Sequence, residues 1–151
     1  MVINEESINR LGSVLGLARQ SLGWSTERLA SEIGVTRQTV NNLESGRGKL
    51  SKTQYMALRC LFDDEMETHP DETEMLATLL EVFVDHPEKY DDDKRTSIRE
   101  SIALLAPGVS NDPEKRKEAS RTWKAVLVGL GILFPVSTLT AIAVSNWKNH
   151  K

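Results

Sequence analysis

Five side chains that can hydrogen-bond to a flat ring edge stand within six residues of one another: Arg37, Gln38, Thr39, Asn41 and Asn42. An arginine fork pairs with the major-groove edge of guanine and a glutamine or asparagine carboxamide with that of adenine, while a threonine meets a thymine methyl or a phosphate. Further donors with the reach for phosphate oxygens lie around them: Arg19, Thr26, Thr36, Arg47, Lys49 and Lys52. Chemistry that makes or breaks bonds has no comparable group. The histidines His69, His86 and His150 fall in acidic stretches or at the terminus, and no serine, cysteine or carboxylate has a matching base. The sequence therefore points away from an enzyme, and no catalytic residue is assigned. The cluster Asp85, His86, Glu88, Asp91, Asp92 and Asp93 lacks the alternating oxygen donors and central glycine of a calcium loop. No His or Cys pair has zinc spacing, so neither a metal nor a cofactor is expected.

Base-edge donors read a sequence only when a rigid element presents them together. From Ile8 to Phe62 the apolar residues follow helical spacing, broken by turn signals at Gly23, Gly34 and the run Gly46, Arg47, Gly48, which predicts four short helices. Ser25 caps the second, with Arg28 at its third position, so the reciprocal half of a capping box is missing. Leu29, Ala30 and Ile33 form its apolar face; Gly34 supplies a tight turn, Val35 fills the angle, and Thr36 caps the next helix. That order is a helix-turn-helix. Its second helix, 37–44, buries Val40 and Leu43 and places the base-edge donors at its N-terminal end, where such a helix meets the groove.

Leu17 to Phe62, about a third of the chain, resembles the Xre/Cro/phage-repressor helix-turn-helix family. The resemblance is carried by Leu17, Ala18, Arg19 and Leu22, then Ser25, Glu27, Leu29, Ala30 and Ile33. Val35, Thr36, Arg37, Gln38, Thr39, Val40 and Glu44 follow, with Gly46 and Leu58 beyond. It implies a compact four- or five-helix domain over 1–66, of a prokaryotic or phage transcription regulator. The third helix would insert into the major groove of double-stranded DNA, with a homodimer on a palindromic operator. The chain departs from the family at Thr26, where glutamine is common, and at Leu43, where an aromatic residue is common. Thr26 keeps a hydroxyl that can donate to phosphate.

Charge divides the chain into three: residues 1–62 net +3, residues 63–93 net −12 and residues 94–151 net +6, which the overall −3 conceals. Arg10, Arg28 and Arg59 read as solvated surface, and Cys60, the single cysteine, as a buried apolar residue. Across 67–106, Met75, Leu76, Leu79, Leu80 and Phe83, and then Ile98, Ile102 and Leu105, predict two amphipathic helices. Their apolar faces suit either a dimerisation or docking element or an extension of the N-terminal core, while their acids keep that face off DNA. In the segment 107–122, Pro107 to Asn111 reads as a linker, and Asp112 with Pro113 as the cap and first residue of a basic helix able to bind anionic lipid heads.

Ala125 to Ser145 carries no charge and is mostly apolar; as a helix it would be about 30 Å long, the thickness of a bilayer's hydrocarbon core. Trp123, Lys124, Trp147 and Lys148 flank it, and the basic residues before it outnumber those after. These features predict a single transmembrane helix over 123–147, in the inner (cell) membrane, with the N-terminus cytoplasmic. The sequence thus leads to an all-α chain comprising a helix-turn-helix head, an acidic helical middle and a membrane anchor. Two roles fit it: a membrane-tethered transcriptional regulator reading DNA through 37–44, or a membrane-anchored scaffold whose RodZ-like head docks a membrane or cytoplasmic protein partner. The polar third helix favours DNA, since a protein-docking surface exposes more aromatic and aliphatic side chains.

Overall fold

The computed structural model describes residues 3–132, and all regular structure among them is helical. The elements are α1 (Glu5–Ser21), α2 (Thr26–Ile33), α3 (Arg37–Ser45), α4 (Lys52–Thr68), α5 (Glu74–Leu79), α6 (Asp92–Leu105) and α7 (Pro113–Gly129). α5 runs directly into a π-helical stretch, Leu80–Asp85, and three short 3₁₀ turns join the later elements. The start signals read at Ser25, Thr36 and Asp112 act locally, and Asn4, Ser51 and Asp91 cap in the same way, each accepting a main-chain N–H from three residues on.

α1 is the spine. Leu11, Val14, Leu15, Ala18 and Leu22 are buried at helical spacing, and α3, α4, α5, the π-helical stretch and α6 all pack on this helix. On α4 the inward stripe is Tyr55, Leu58, Arg59, Phe62 and Met66. Cys60 is exposed, correcting the expectation of a buried thiol. It lies two residues, about 200° of helical rotation, from Leu58 and so on the opposite side of α4.

The acidic middle is folded into the same core. Every residue from Glu72 to Leu80 is buried, as are Val82 and Val84, so α5 is enclosed by α1, α4 and α7. The apolar residues predicted as one face of an amphipathic helix thus have partners within the chain. Many acids are also used internally. Arg59, 8 % exposed, donates to Asp85 at 2.6 and 3.1 Å and lies 3.5 Å from Asp63, while Arg10 donates twice to the carbonyl of Val84. Neither arginine is the solvated surface residue expected. Arg28 is partly so, stacked 4.3 Å over the Trp24 ring.

The C-terminal helix corrects the sequence reading most. Trp123, predicted to anchor at a membrane surface, is fully buried and donates from Nε1 to Thr78 Oγ1 at 2.9 Å. Leu127 and Ile132 are buried with it, and Ser120 Oγ accepts from the Glu74 amide. Arg116, 5 % exposed, is 3.0 Å from Glu65 and 3.4 Å from Glu72, and Lys124 is 3.3 Å from Glu74, so α7's basic side docks on the acidic middle. The helix then stops. Ile132 N–H bonds to Leu127 O and Gly131 N–H to Val128 O, with Gly131 left-handed at φ 75°, which is a Schellman ending with its apolar contact between Leu127 and Ile132.

Among the described residues no helix is long and apolar enough to cross a membrane. The described residues are all-α and hold no membrane helix, which corrects the expected span over 123–147 as far as residue 132 and, with it, the expected single-pass inner-membrane placement. The start of the apolar run covers the core of the chain itself. The remainder of the predicted span, from 133, lies outside the described residues.

Candidate nucleic-acid interface

α2 and α3 meet at a three-residue turn built by local chemistry. Ser25 Oγ accepts from the Arg28 amide at 3.1 Å, Gly34 ends α2 at φ 71°, and Thr36 Oγ1 accepts from the Thr39 amide at 3.1 Å. Half-buried Val35 sits in the angle, while Leu29 and Ala30 of α2 and Val40 and Leu43 of α3 pack inward. α3 is set from both ends. At its C-terminal end Gly46 is left-handed at φ 83°, and the Gly48 N–H donates to Asn42 O at 3.0 Å, folding the following loop back along the helix.

With Val40 and Leu43 inward, Arg37, Gln38, Asn41, Asn42 and Ser45 share an arc of about 140°, at roughly 100° per residue, on the opposite side. Arg37, Gln38, Asn41 and Ser45 are exposed and Asn42 is half-buried. Gln38 Nε2 donates to Asn42 Oδ1 at 3.1 Å, pairing the two carboxamides one turn apart. Thr39 is on the flank: it is half-buried and its hydroxyl lies 2.9 Å from that of Thr36. The structure therefore brings four of the five base-edge candidates onto one surface and turns the fifth aside.

The phosphate candidates divide similarly. Arg47 and Lys49 are exposed on the returning loop, and Lys52 is exposed at the first position of α4. Thr36 is exposed at the N-cap of α3, and half-buried Thr26 opens α2. Arg19 is engaged elsewhere. Its Nε and Nη2 donate to the two carboxylate oxygens of Glu44, and Nη1 to the carbonyl of Trp24. Two acids matter here that were not assigned a role from sequence. Glu44 is that partner of Arg19; Glu27, in the first turn of α2, stands 3.1 Å from Arg37. The available signal was opposite charge on different helices, which acquires meaning only once the packing of α3 against α1 and α2 is known.

Residues 15–63 match the family model described as Helix-turn-helix, a span that takes in the last turns of α1, all of α2 and α3, and α4 as far as Asp63. The match agrees with the resemblance seen over Leu17 to Phe62 and covers about a third of the chain. Comparison with curated proteins and with solved structures returns no match.

Proposed function

We propose that this protein is a sequence-specific DNA-binding regulator of transcription that lays α3 in the major groove of double-stranded DNA. The observation that carries the reading is the exposed face of α3, where Arg37, Gln38, Asn41 and Asn42 stand together with no apolar side chain among them. Arg37 suits a guanine edge, and Gln38 and Asn42, already one hydrogen-bonded unit, suit adenine. Thr39, at the flank, is placed for a thymine methyl or the sugar-phosphate edge of the site. Thr36, Arg47, Lys49 and Lys52 supply backbone contacts on either side of the helix, which set register without reading sequence, and Thr26 joins them only by turning its hydroxyl away from Glu27. Arg19 takes no phosphate in this scheme; it fixes α3 through Glu44.

A homodimer on a palindromic operator follows from the size of the site. One nine-residue helix reaches few base pairs, and a head of net charge +3 binds phosphate weakly, so two linked copies are needed for useful affinity.

The test is selection of genomic DNA fragments by the full chain, with Arg37→Ala and Gln38→Ala alongside. The full chain is required because α7 contributes Trp123 and Leu127 to the core. Enrichment of a palindromic sequence that both substitutions abolish supports the reading. A folded protein that enriches nothing at low salt rejects it.

A further inference from the structure

Arg37 is the single cation of α3, and it has a partner in the same molecule. Its Nη1 lies 3.1 Å from Oε1 of Glu27, with 66 % and 58 % of the two side chains exposed. The other carboxylate oxygen of Glu27 accepts from Thr26 Oγ1 at 3.2 Å. Glu27 is thus held on one oxygen by its own helix and on the other by the recognition helix. Its carboxyl lies below the ordinary carboxylate range, owing first to a hydrogen bond with its main-chain amide, then to Arg37 and the hydroxyls of Thr26 and Ser25. It is an anion at neutral pH.

We infer that Glu27 is a specificity-determining positioning residue: its carboxylate holds one edge of the Arg37 guanidinium and directs the rest of the fork at a base. The inference rests on the DNA-reading role proposed above. An unrestrained arginine at the start of a recognition helix settles on the nearest phosphate, a contact that strengthens binding to every sequence and distinguishes none. A carboxylate beside it cancels that attraction. It leaves the opposite edge of the planar group for the paired acceptors of guanine. Glu27 is itself repelled by phosphates, so a site without a matching base meets an opposing charge with no compensating contact. An exposed ion pair adds little to folding stability, so its effect belongs in how the protein partitions between DNA sequences.

The experiment uses the full chain as wild type, Glu27→Gln, Arg37→Ala and the double variant. Dissociation constants are measured for the selected operator and for a random duplex of equal length from 50 to 200 mM salt. Glu27→Gln is expected to tighten random-duplex binding and to steepen its salt dependence by about one phosphate contact. The operator-to-random ratio is expected to fall by roughly three- to tenfold, part of what one arginine–guanine pair contributes. On the Arg37→Ala background, Glu27→Gln is expected to leave the ratio unchanged. Equal changes on both duplexes, no change on either, or the same fall in ratio without Arg37 would each overturn the inference. A wild type that prefers no selected sequence removes the DNA reading and Glu27's role together; an operator-selective wild type whose ratio ignores Glu27 removes only the latter.

Discussion

Arg19 of α1 grips Glu44 of α3 through two parallel hydrogen bonds, 2.7 Å from Nε and 3.0 Å from Nη2, while its Nη1 donates to the carbonyl of Trp24 at 2.8 Å. One guanidinium thereby joins the spine, the turn before α2 and the C-terminal end of the recognition helix. The pair lies in a close crossing: a Cβ at Gly16 would stand 3.4 Å from Glu44 Oε1. A bidentate arginine–carboxylate pair fixes distance and angle together, so α3 is held in orientation as well as attached.

Removing one member of this pair strands the other in a largely dry crossing, with side chains 14 % and 15 % exposed. Arg19→Met is expected to cost about 3 kcal/mol, the lower end for a broken buried pair. Arg19→Met with Glu44→Leu should recover part of that loss, because no uncompensated charge remains. Urea unfolding of both variants checks this. If Arg19 acts through α3 and touches no phosphate, the salt dependence of DNA binding by Arg19→Met, measured where it is folded, stays at the wild-type slope.

Gly23 and Gly34 have nearly the same left-handed backbone, φ 69° and 71°, in different surroundings. A Cβ at Gly34 meets nothing within 4 Å, whereas at Gly23 it would lie 2.5 Å from the main chain of Ser110 and Asn111. Gly34→Ala is therefore expected to cost about 1–2 kcal/mol, the left-handed penalty alone. Gly23→Ala adds overpacking against backbone that cannot swing aside, and about 3 kcal/mol or more is expected. Chemical denaturation of the two variants side by side distinguishes them; equal losses would mean that the 109–111 segment is not seated against the turn before α2.

Trp123 tests the placement of α7. Trp123→Ala should cost about 3–5 kcal/mol, as for other large aromatic residues removed from a core. Trp123→Phe keeps most of the packing but loses the bond to Thr78 and part of the ring volume, for about 1–2 kcal/mol. Silence of both substitutions in urea unfolding would place α7 outside the core. Their order, alanine well beyond phenylalanine, is the expected result.

What was legible in the sequence is what short-range chemistry decides. Ser25, Thr36 and the Asp112–Pro113 pair announce helix starts through bonds spanning three residues and Gly34 a helix end through its left-handed backbone, and the structure has the helix boundaries there. The period of α3 likewise separates Val40 and Leu43 from Arg37, Gln38, Asn41 and Asn42. Long-range pairing left no such mark. Arg59 and Arg116 look like surface cations until Asp85, Glu65 and Glu72 are brought to them from distant segments. Apolarity alone does not say what solvent it avoids. The start of the run at Ala125 reads as lipid-facing, but Leu127 and Ile132 close over the core beside Trp123, and Gly131 ends the helix.

Glu74 is fully buried, neither of its carboxylate oxygens accepts a hydrogen bond, and Lys124 Nζ stands 3.3 Å away as its counterion. Burial raises its pKa, and the nearby ammonium only partly opposes this. A carboxyl whose folded-state pKa is raised contributes stability that is complete below the unfolded-state value and is lost as pH rises through the folded-state value. The wild type is thus expected to lose stability relative to Glu74→Gln as pH climbs from the ordinary carboxylate range toward neutrality, and the two should converge at lower pH. Lys124→Met removes the counterion and should cost about 1–2 kcal/mol at pH 7, less than a fully buried pair because Lys124 is half exposed. On the Glu74→Gln background the same substitution should be nearly silent. Urea midpoints for the four proteins across pH 4 to 8 test this, and a Glu74→Gln variant that is less stable than wild type at neutral pH yet equal to it in acid would reverse the assignment and make the charged pair a net stabiliser of α7.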